Sequence, residues 1–288
     1  MIARSSLKTT VYMKYIIYIL LFFPIWVTAQ TYKYIGIENG LSNRRIFNIQ
    51  KDTQGYMWFL TNEGMDRYNG KDIKHYKLNK EASTLDAPVR LGWLYTGPQI
   101  GIWVIGKQGR VFRYEANEDD FRMVYKLPDI SETISCGYLD RNNNIWLCCK
   151  DSILLYNIND AHILQFSNIL HSNITAIEQI DEQHFFIATE LGVRYVKLEN
   201  GILETIPVKT LDYFHAQVSE LYFHKQLKRL FIGSFERGVF VYDMNTQEIM
   251  RPEADLSDVN IARISPLNET ELLIATEGMG VYKVNANT

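Results

Sequence analysis

DTQGYMWFLTNEGMDRYNG, running from Asp52 to Gly70, reads as a β-hairpin with strict punctuation. A polar turn at Asp52 leads into an aromatic-rich strand, a second turn ends on Gly64, and a short strand closes at Tyr68. The same layout returns along the chain. Aligned on Trp58, it recurs as IWVIGKQGRVFRY around Trp103 and IWLCCKDSILLYN around Trp146. Looser copies are FFIATELGVRYVK around Phe186, LFIGSFERGVFVYD around Phe231 and LLIATEGMGVYKVN around Leu273. The anchors stand 45, 43, 40, 45 and 42 residues apart. A stretch repeated at a fixed period of this length is a building block, not a site.

Each column of the repeat has a physical reason. The anchor is a large apolar residue that fills space between neighbouring sheets. Six or seven residues later stand Gly64, Gly109, Gly192, Gly238 and Gly280, where a tight turn between strands needs positive φ. Ser152 takes that place in the third copy, which is expected to be strained or to use a different turn. Tyr68, Tyr114, Tyr156, Val196, Tyr242 and Val284 follow as strand formers expected to face the next repeat. Asp52 and Asp140, each six residues before a tryptophan, fit the first hairpin turn. Alternating runs such as IFNIQ (46–50), ITAIEQI (174–180) and VSELYF (218–223) supply a further strand upstream.

This makes four short strands per repeat: inner, aromatic, glycine-led and polar outer. The fold class is all-β, a β-propeller of four-stranded antiparallel blades with six repeats visible. The ring is either a closed six-bladed one or part of a seven-bladed one. In the closed form, TYKYIGIE (31–38) is a spare strand that would complete the last blade.

The chain has 288 residues and a formal net charge of −3, which excludes a basic nucleic-acid binder. Its first segment differs in kind. Lys14, an apolar run of 13 residues from Tyr15 to Val27 and the small residues before Gln30 lay out a secretory signal. The run is shorter than the ~20 residues that span a bilayer. The expected organisation is a signal peptide over 1–29, a β-propeller domain over 30–288 and no transmembrane helix after the signal. Cleavage would remove Arg4, Lys8 and Lys14 and no acid, taking the charge from −3 to −6. An acidic exported chain gives no reason for contact with nucleic acid. Cys136 and Cys148 fall opposite each other on adjacent strands, and with Cys149 are expected as buried thiols, a cross-strand disulfide being the alternative. No histidine stands at ligand spacing, so neither metal nor cofactor is expected.

GLSNRRIFNIQKDTQGYMWFLTNEGMDRYNG (40–70) resembles the two-component-regulator propeller repeat. The shared pattern is GLS, an inner strand, D-x-x-G, an aromatic-Trp strand, T-x-x-G-hydrophobic and a terminal Tyr. That repeat builds the periplasmic sensor region of hybrid two-component systems. The resemblance implies a periplasmic, non-enzymatic recognition propeller, and many members of the family detect oligosaccharides released from complex glycans. Relatives typically carry two seven-bladed propellers, a β-sandwich, a membrane helix and a histidine kinase. This chain, with its six repeats and no kinase motif, resembles an N-terminal fragment or a shortened member. The alternatives are a structural or homodimer-forming module, or a glycan-active hydrolase or lyase. The sialidase Asp-box order is missing, and no carboxylate pair stands out as an acid/base couple.

Propellers bind most often on the face formed by the loops before each inner strand and the turns before the glycine column. Here that gives Asn43, Arg44, Arg45, Asn62, Glu63, Arg90, Trp93, Lys107, Glu236 and Arg237 as candidate ligand contacts, with Gln108, Lys150, Glu190 and Glu277 beside them. Arginine and carboxylate groups offer bidentate hydrogen bonds to sugar hydroxyls or uronates, and Trp93 a stacking face. Arg44 and Arg45 are the leading pair, at the entrance to a core strand.

Overall fold

The computed structural model describes residues 33–78, 91–128, 133–252 and 256–287. The signal-peptide reading therefore lies outside the described residues. Gly36–Thr288 form one compact unit, and it is a six-bladed β-propeller.

Blade 1 comprises β1 (Ile46–Lys51), β2 (Met57–Thr61), β3 (Gly64–Tyr68) and β4 (Ile73–Tyr76). Blade 2 follows as β5 (Leu91–Gly97), β6 (Gly101–Gly106), β7 (Arg110–Glu115) and β8 (Asp120–Lys126). Blade 3 is β9 (Cys136–Leu139), β10 (Asn144–Cys148), β11 (Ser152–Asn157) and β12 (Ile163–Ser167). Blade 4 is β13 (Ile174–Gln179), β14 (His184–Thr189), β15 (Gly192–Glu199) and β16 (Ile202–Ile206). Blade 5 is β17 (Val218–His224), β18 (Arg229–Ser234), β19 (Val239–Asp243) and β20 (Glu248–Met250). Blade 6 has three strands, β21 (Ile261–Pro266), β22 (Glu271–Thr276) and β23 (Gly280–Asn285). Every blade is an antiparallel meander, and the first strands β1, β5, β9, β13, β17 and β21 contact one another in that order.

The repeat columns explain the packing. The first five anchors cross the seam to the next blade: Trp58 joins Leu94 and Val104 of blade 2, and Phe231 joins Ile264 and Leu272 of blade 6. Trp58, Trp103, Trp146, Phe186 and Phe231 are at most 2% exposed. Fully burying a side chain of this size is worth about 3 kcal/mol, so the anchors dominate each seam. Tyr114, Tyr156, Val196, Tyr242 and Val284 of this column turn out to face the preceding repeat. Tyr114 packs on Trp58, because it is Arg113, one residue earlier, that sits opposite the anchor Trp103.

The threonine and glycine of T-x-x-G close the second turn. Thr61 Oγ1 donates to Gly64 O at 3.1 Å, and Ser234 and Thr276 repeat the bond to Gly238 and Gly280. Gly238 has φ 65°, and a Cβ there would stand 1.4 Å from the Leu256 carbonyl oxygen. Ser152 carries no positive φ; its turn closes by a bond from Cys149 N to Ser152 O, so blade 3 uses a different turn. The first turn is latched by aspartate. Asp52 Oδ2 accepts the Trp58 indole N–H at 2.7 Å, and Asp140 Oδ2 that of Trp146 at 2.9 Å. Cys136 and Cys148 are register partners, and all three cysteines are buried and in no disulfide.

Among the described residues, the segment expected as the fourth strand of blade 6 forms no strand. Lys33–Gly36 carry no strand, and Ile37–Asn39 form a 3-10 turn, fixed by the Asn39 side chain accepting the Gly36 N–H at 2.9 Å. The GLS segment then covers part of blade 1: Leu41 is buried and Ser42 donates twice to Asp66. Between blades 6 and 1 the described residues show no packing like that of the other seams. Val281 is 65% exposed, whereas its equivalents Met65, Val111, Ile153, Val193 and Val239 are at most 1% exposed. On the facing side Ile49 is 49% exposed, while its equivalents Leu94, Ile177, Leu221 and Ile264 are buried.

Candidate functional site

The turn face is built largely of polar groups that satisfy the turns themselves. Asn43 Oδ1 accepts the Arg45 N–H at 2.8 Å, an Asx turn leading into β1. Arg44 and Arg45 are both exposed, because β1 begins only at Ile46, and the Arg45 guanidinium lies over the Phe47 ring. Asn62, Glu63 and Lys107 are exposed turn residues, and the Lys107 carbonyl takes the Ile134 N–H. Glu236 has φ 62° and donates its N–H to Asn260 Oδ1, while Asn260 Nδ2 reaches Glu277 Oε2. Arg237 donates to the His215 carbonyl at 2.7 Å and covers Phe240. Arg90 lies outside the described residues. Apart from the Asn43–Arg45 turn, no hydrogen bond or ion pair links two of these candidates among the described residues.

The central channel differs. Its wall is set by the innermost strands, where the register names the residues opposite each anchor: Gln50, Tyr95, Tyr138, Glu178, Tyr222 and Ser265. Two residues upstream on the same face stand Asn48, Trp93, Cys136, Ala176, Glu220 and Arg263, of which Cys136 and Ala176 are buried in the seams between blades. In five blades a bulge immediately precedes this second position. Such a bulge re-aims the side chains that follow it. Of the sequence-predicted candidates only Trp93 belongs to this wall, where it packs on Gly137.

These side chains converge across the axis. Tyr95 of blade 2 feels the charges of Glu220 in blade 5 and Arg263 in blade 6. Burial holds its phenol protonated well above the ordinary range, and its Oη donates to Gly137 O at 2.8 Å. Arg263 pairs with Glu220 at 3.3 Å, the Glu220 side chain being 18% exposed. Burial pushes Glu220 up to about 7, with Arg263 pulling it back. Glu178 is likewise raised by burial to about 7. The Phe223 N–H, Arg141 and Arg263 lower it, and Glu220 raises it. Tyr138 and Tyr222 both lie within the field of Glu178, and burial raises both phenols. Next to this cluster Gln179 is fully buried: its Oε1 accepts the Arg141 N–H, and its Nε2 has no partner among the described residues.

A cavity of about 400 Å³ opens between blades 2 and 3, sharing Tyr95 with the wall and lined also by Pro98, Ile100, Leu139 and Arg141. That volume falls in the range of small-molecule sites. Channel and cavity together offer aromatic faces, two carboxyls that hold or release a proton near neutrality, and two guanidinium groups. Among the described residues no group of His, Cys, Asp and Glu is placed to hold a metal ion. No described helix is long and apolar enough to cross a membrane. The one sequence signal these residues share is their spacing, eight residues before the anchor or nine in blade 5, with no common residue type.

Residues 40–63 match the family model described as two component regulator propeller. Among solved structures, an extracellular domain attributed to a hybrid two component system of B. thetaiotaomicron is similar, with TM-score 0.69 and 20% identity over 88% of this chain and 35% of that one. A second such domain from the same organism gives TM-score 0.64 and 18% identity over 88% of this chain and 33% of that one. A streptogramin B lyase gives TM-score 0.61 and 16% identity over 84% of this chain and 83% of that one. At such identities the likeness is one of fold. This chain spans about a third of the length of the two extracellular domains. No curated protein matches the chain. One repeat of this chain, residues 40–63, thus matches the two-component regulator propeller model, and its blade architecture is shared with extracellular domains of two-component systems.

Proposed function

We propose that this chain is a periplasmic, non-catalytic recognition propeller of a two-component signalling system, exported by a signal peptide over residues 1–29, and that it binds oligosaccharides in its central channel. One observation carries the reading. The positions opposite and upstream of the anchors bring Trp93, Tyr95, Tyr138 and Tyr222 together with Glu178, Glu220 and Arg263 on one wall. Aromatic faces stack on sugar rings, and carboxyl and guanidinium groups take hydroxyls in bidentate fashion. The turn residues proposed as contacts, Arg44 and Arg45 foremost, then act as an entrance and not as the seat of the ligand.

The test is isothermal calorimetry of the purified protein against a panel of neutral, acidic and amino oligosaccharides, with product analysis of each mixture. The expected result is binding of at least one oligosaccharide without turnover, weakened at least tenfold by Arg263→Ala, a change at a largely exposed side chain. No binding across the panel contradicts recognition, and a cleaved product contradicts a non-catalytic role.

A further inference from the structure

On the side of the first turns, several seams are stitched by a side chain that reaches the backbone of the neighbouring blade. Thr96 Oγ1 donates to the Lys51 carbonyl at 3.0 Å between blades 1 and 2. Arg141 Nη1 donates to the Ile180 carbonyl and Asn142 Nδ2 to the Glu182 carbonyl between blades 3 and 4. His224 Nε2 donates to the Glu269 carbonyl at 2.8 Å between blades 5 and 6. Between blades 2 and 3, the turn from β5 to β6 and the turn from β9 to β10 exchange no hydrogen bond among the described residues. The cavity of about 400 Å³ opens there.

Its walls are largely apolar, from Tyr95, Pro98, Ile100 and Leu139, and the Tyr95 hydroxyl is already spent on the Gly137 carbonyl. Two charged residues line it, and they are used unequally. Asp140 accepts the N–H groups of Asn142 and Asn144, the Asn144 side-chain amide and the Trp146 indole, all within 3.1 Å. Four bonds fill the acceptor sites of a carboxylate. Arg141 spends one guanidinium N–H, over 3.3 Å, out of the five that an arginine carries. Its backbone N–H is held by Gln179 Oε1 at 2.7 Å, so blade 4 fixes the turn that presents it. An apolar slot with an underused guanidinium and no unspent carboxylate suits an anion carried on an apolar ring, because a planar carboxylate takes arginine in bidentate fashion. A ligand polar on every side would lose water against these walls without gaining partners.

We propose that the cavity between the first turns of blades 2 and 3 binds a small ring-borne carboxylate, its ring against Ile100 and Leu139 and its carboxylate on Arg141. The volume lies at the low end of the ~300–1,000 Å³ of small-molecule sites, which suits a single ring with its substituents. A sugar acid and an aromatic acid share this chemistry. The site shares Tyr95 with the channel wall but none of Glu178, Glu220 and Arg263, so it goes beyond the oligosaccharide reading of the channel and does not depend on it.

Calorimetry with two matched pairs of probes tests the class: galacturonate against galactose, and cinnamate against cinnamyl alcohol. At least one acid is expected to bind, about tenfold or more tightly than its neutral counterpart. Arg141→Gln, at an exposed side chain, should erase that preference. Pro98→Trp, which fills the slot from an exposed position, should weaken the bound acid by about tenfold or more. Arg263→Ala on the channel wall should leave it within about twofold. Binding of galacturonate alone supports the site with a sugar acid as its ligand, and binding of cinnamate alone supports it with an aromatic acid. The inference is overturned if neither acid binds, if the neutral counterpart binds as tightly, or if the preference for the acid survives Arg141→Gln. Loss in Arg263→Ala with none in Pro98→Trp moves the acid to the channel wall, which overturns the cavity site and leaves the channel reading standing.

Discussion

The turn face and the channel wall are both polar, yet their polar groups are used in opposite ways. On the turns, side chains are spent on nearby backbone: Asn43 on Arg45, Asn260 on Glu236, Asp140 on the N–H groups of Asn142 and Asn144 and on the Trp146 indole. On the wall, Glu178 and Glu220 are partly desolvated and raised to about 7, with one arginine paired to only one of them. Groups that cap turns lower the energy of the fold. Groups that are costly to ionise where they stand are more readily explained by what they bind. Polarity alone therefore does not mark a site in this fold; unspent hydrogen-bonding and charge capacity does.

The sharpest way to break this contrast is at a turn where the backbone leaves no room. Gly238→Ala puts a methyl into the Leu256 carbonyl oxygen at positive φ, so urea unfolding should show a loss of about 3 kcal/mol or more. Gly280→Ala, also at positive φ but in open space, should cost only about 1 kcal/mol. Equal losses would mean that the glycine column serves conformation alone and not close approach.

Asp140→Ala comes next. It strips two turn N–H groups and a buried indole of their acceptor, and a loss of about 2–3 kcal/mol is expected in urea unfolding. Ligand affinity should stay within twofold, because the carboxylate is occupied by the turn.

Glu178→Gln should act in the reverse direction. A carboxyl whose folded pKa lies above its unfolded value weakens the fold as pH rises from about 4.5 to about 7, and the cost is fully present above 7. Full burial would make that ~3 kcal/mol for a shift of this size, and partial solvent access reduces it. The variant should therefore be more stable than the native protein by about 1–2 kcal/mol at pH 8 and equal to it at pH 4. A loss of stability at pH 8 would place Glu178 among the structural residues. The smallest effect is expected for Arg44→Ala, within about 0.5 kcal/mol in stability and twofold in affinity, since its side chain is exposed.

The division between the two regions also marks what the sequence makes visible. The blades are legible because their columns obey short-range rules: Thr61 and Gly64 close one turn, Asp52 latches another onto Trp58, and each anchor needs bulk. The wall is not, because Gln50, Tyr95, Tyr138, Glu178, Tyr222 and Ser265 share a register position and no chemistry. Only pairing with the anchor unites them. The direction in which Tyr114 faces was missed for a related reason, since a shift of one residue moves a side chain to the other face of its strand. The segment YIGIE alternates like a strand, but Asn39 and Gly40 follow it and fold it into a 3-10 turn instead.

The most direct test of the division is one calorimetric comparison on a single bound oligosaccharide, with two variants of similar surface change. One carries Glu178→Gln with Arg263→Ala on the wall, the other Arg44→Ala with Glu236→Gln on the turns. Affinity should fall at least tenfold in the first and stay within twofold in the second, with both variants folded by circular dichroism. Loss in the turn variant with retention in the wall variant would contradict it and return the site to the turns.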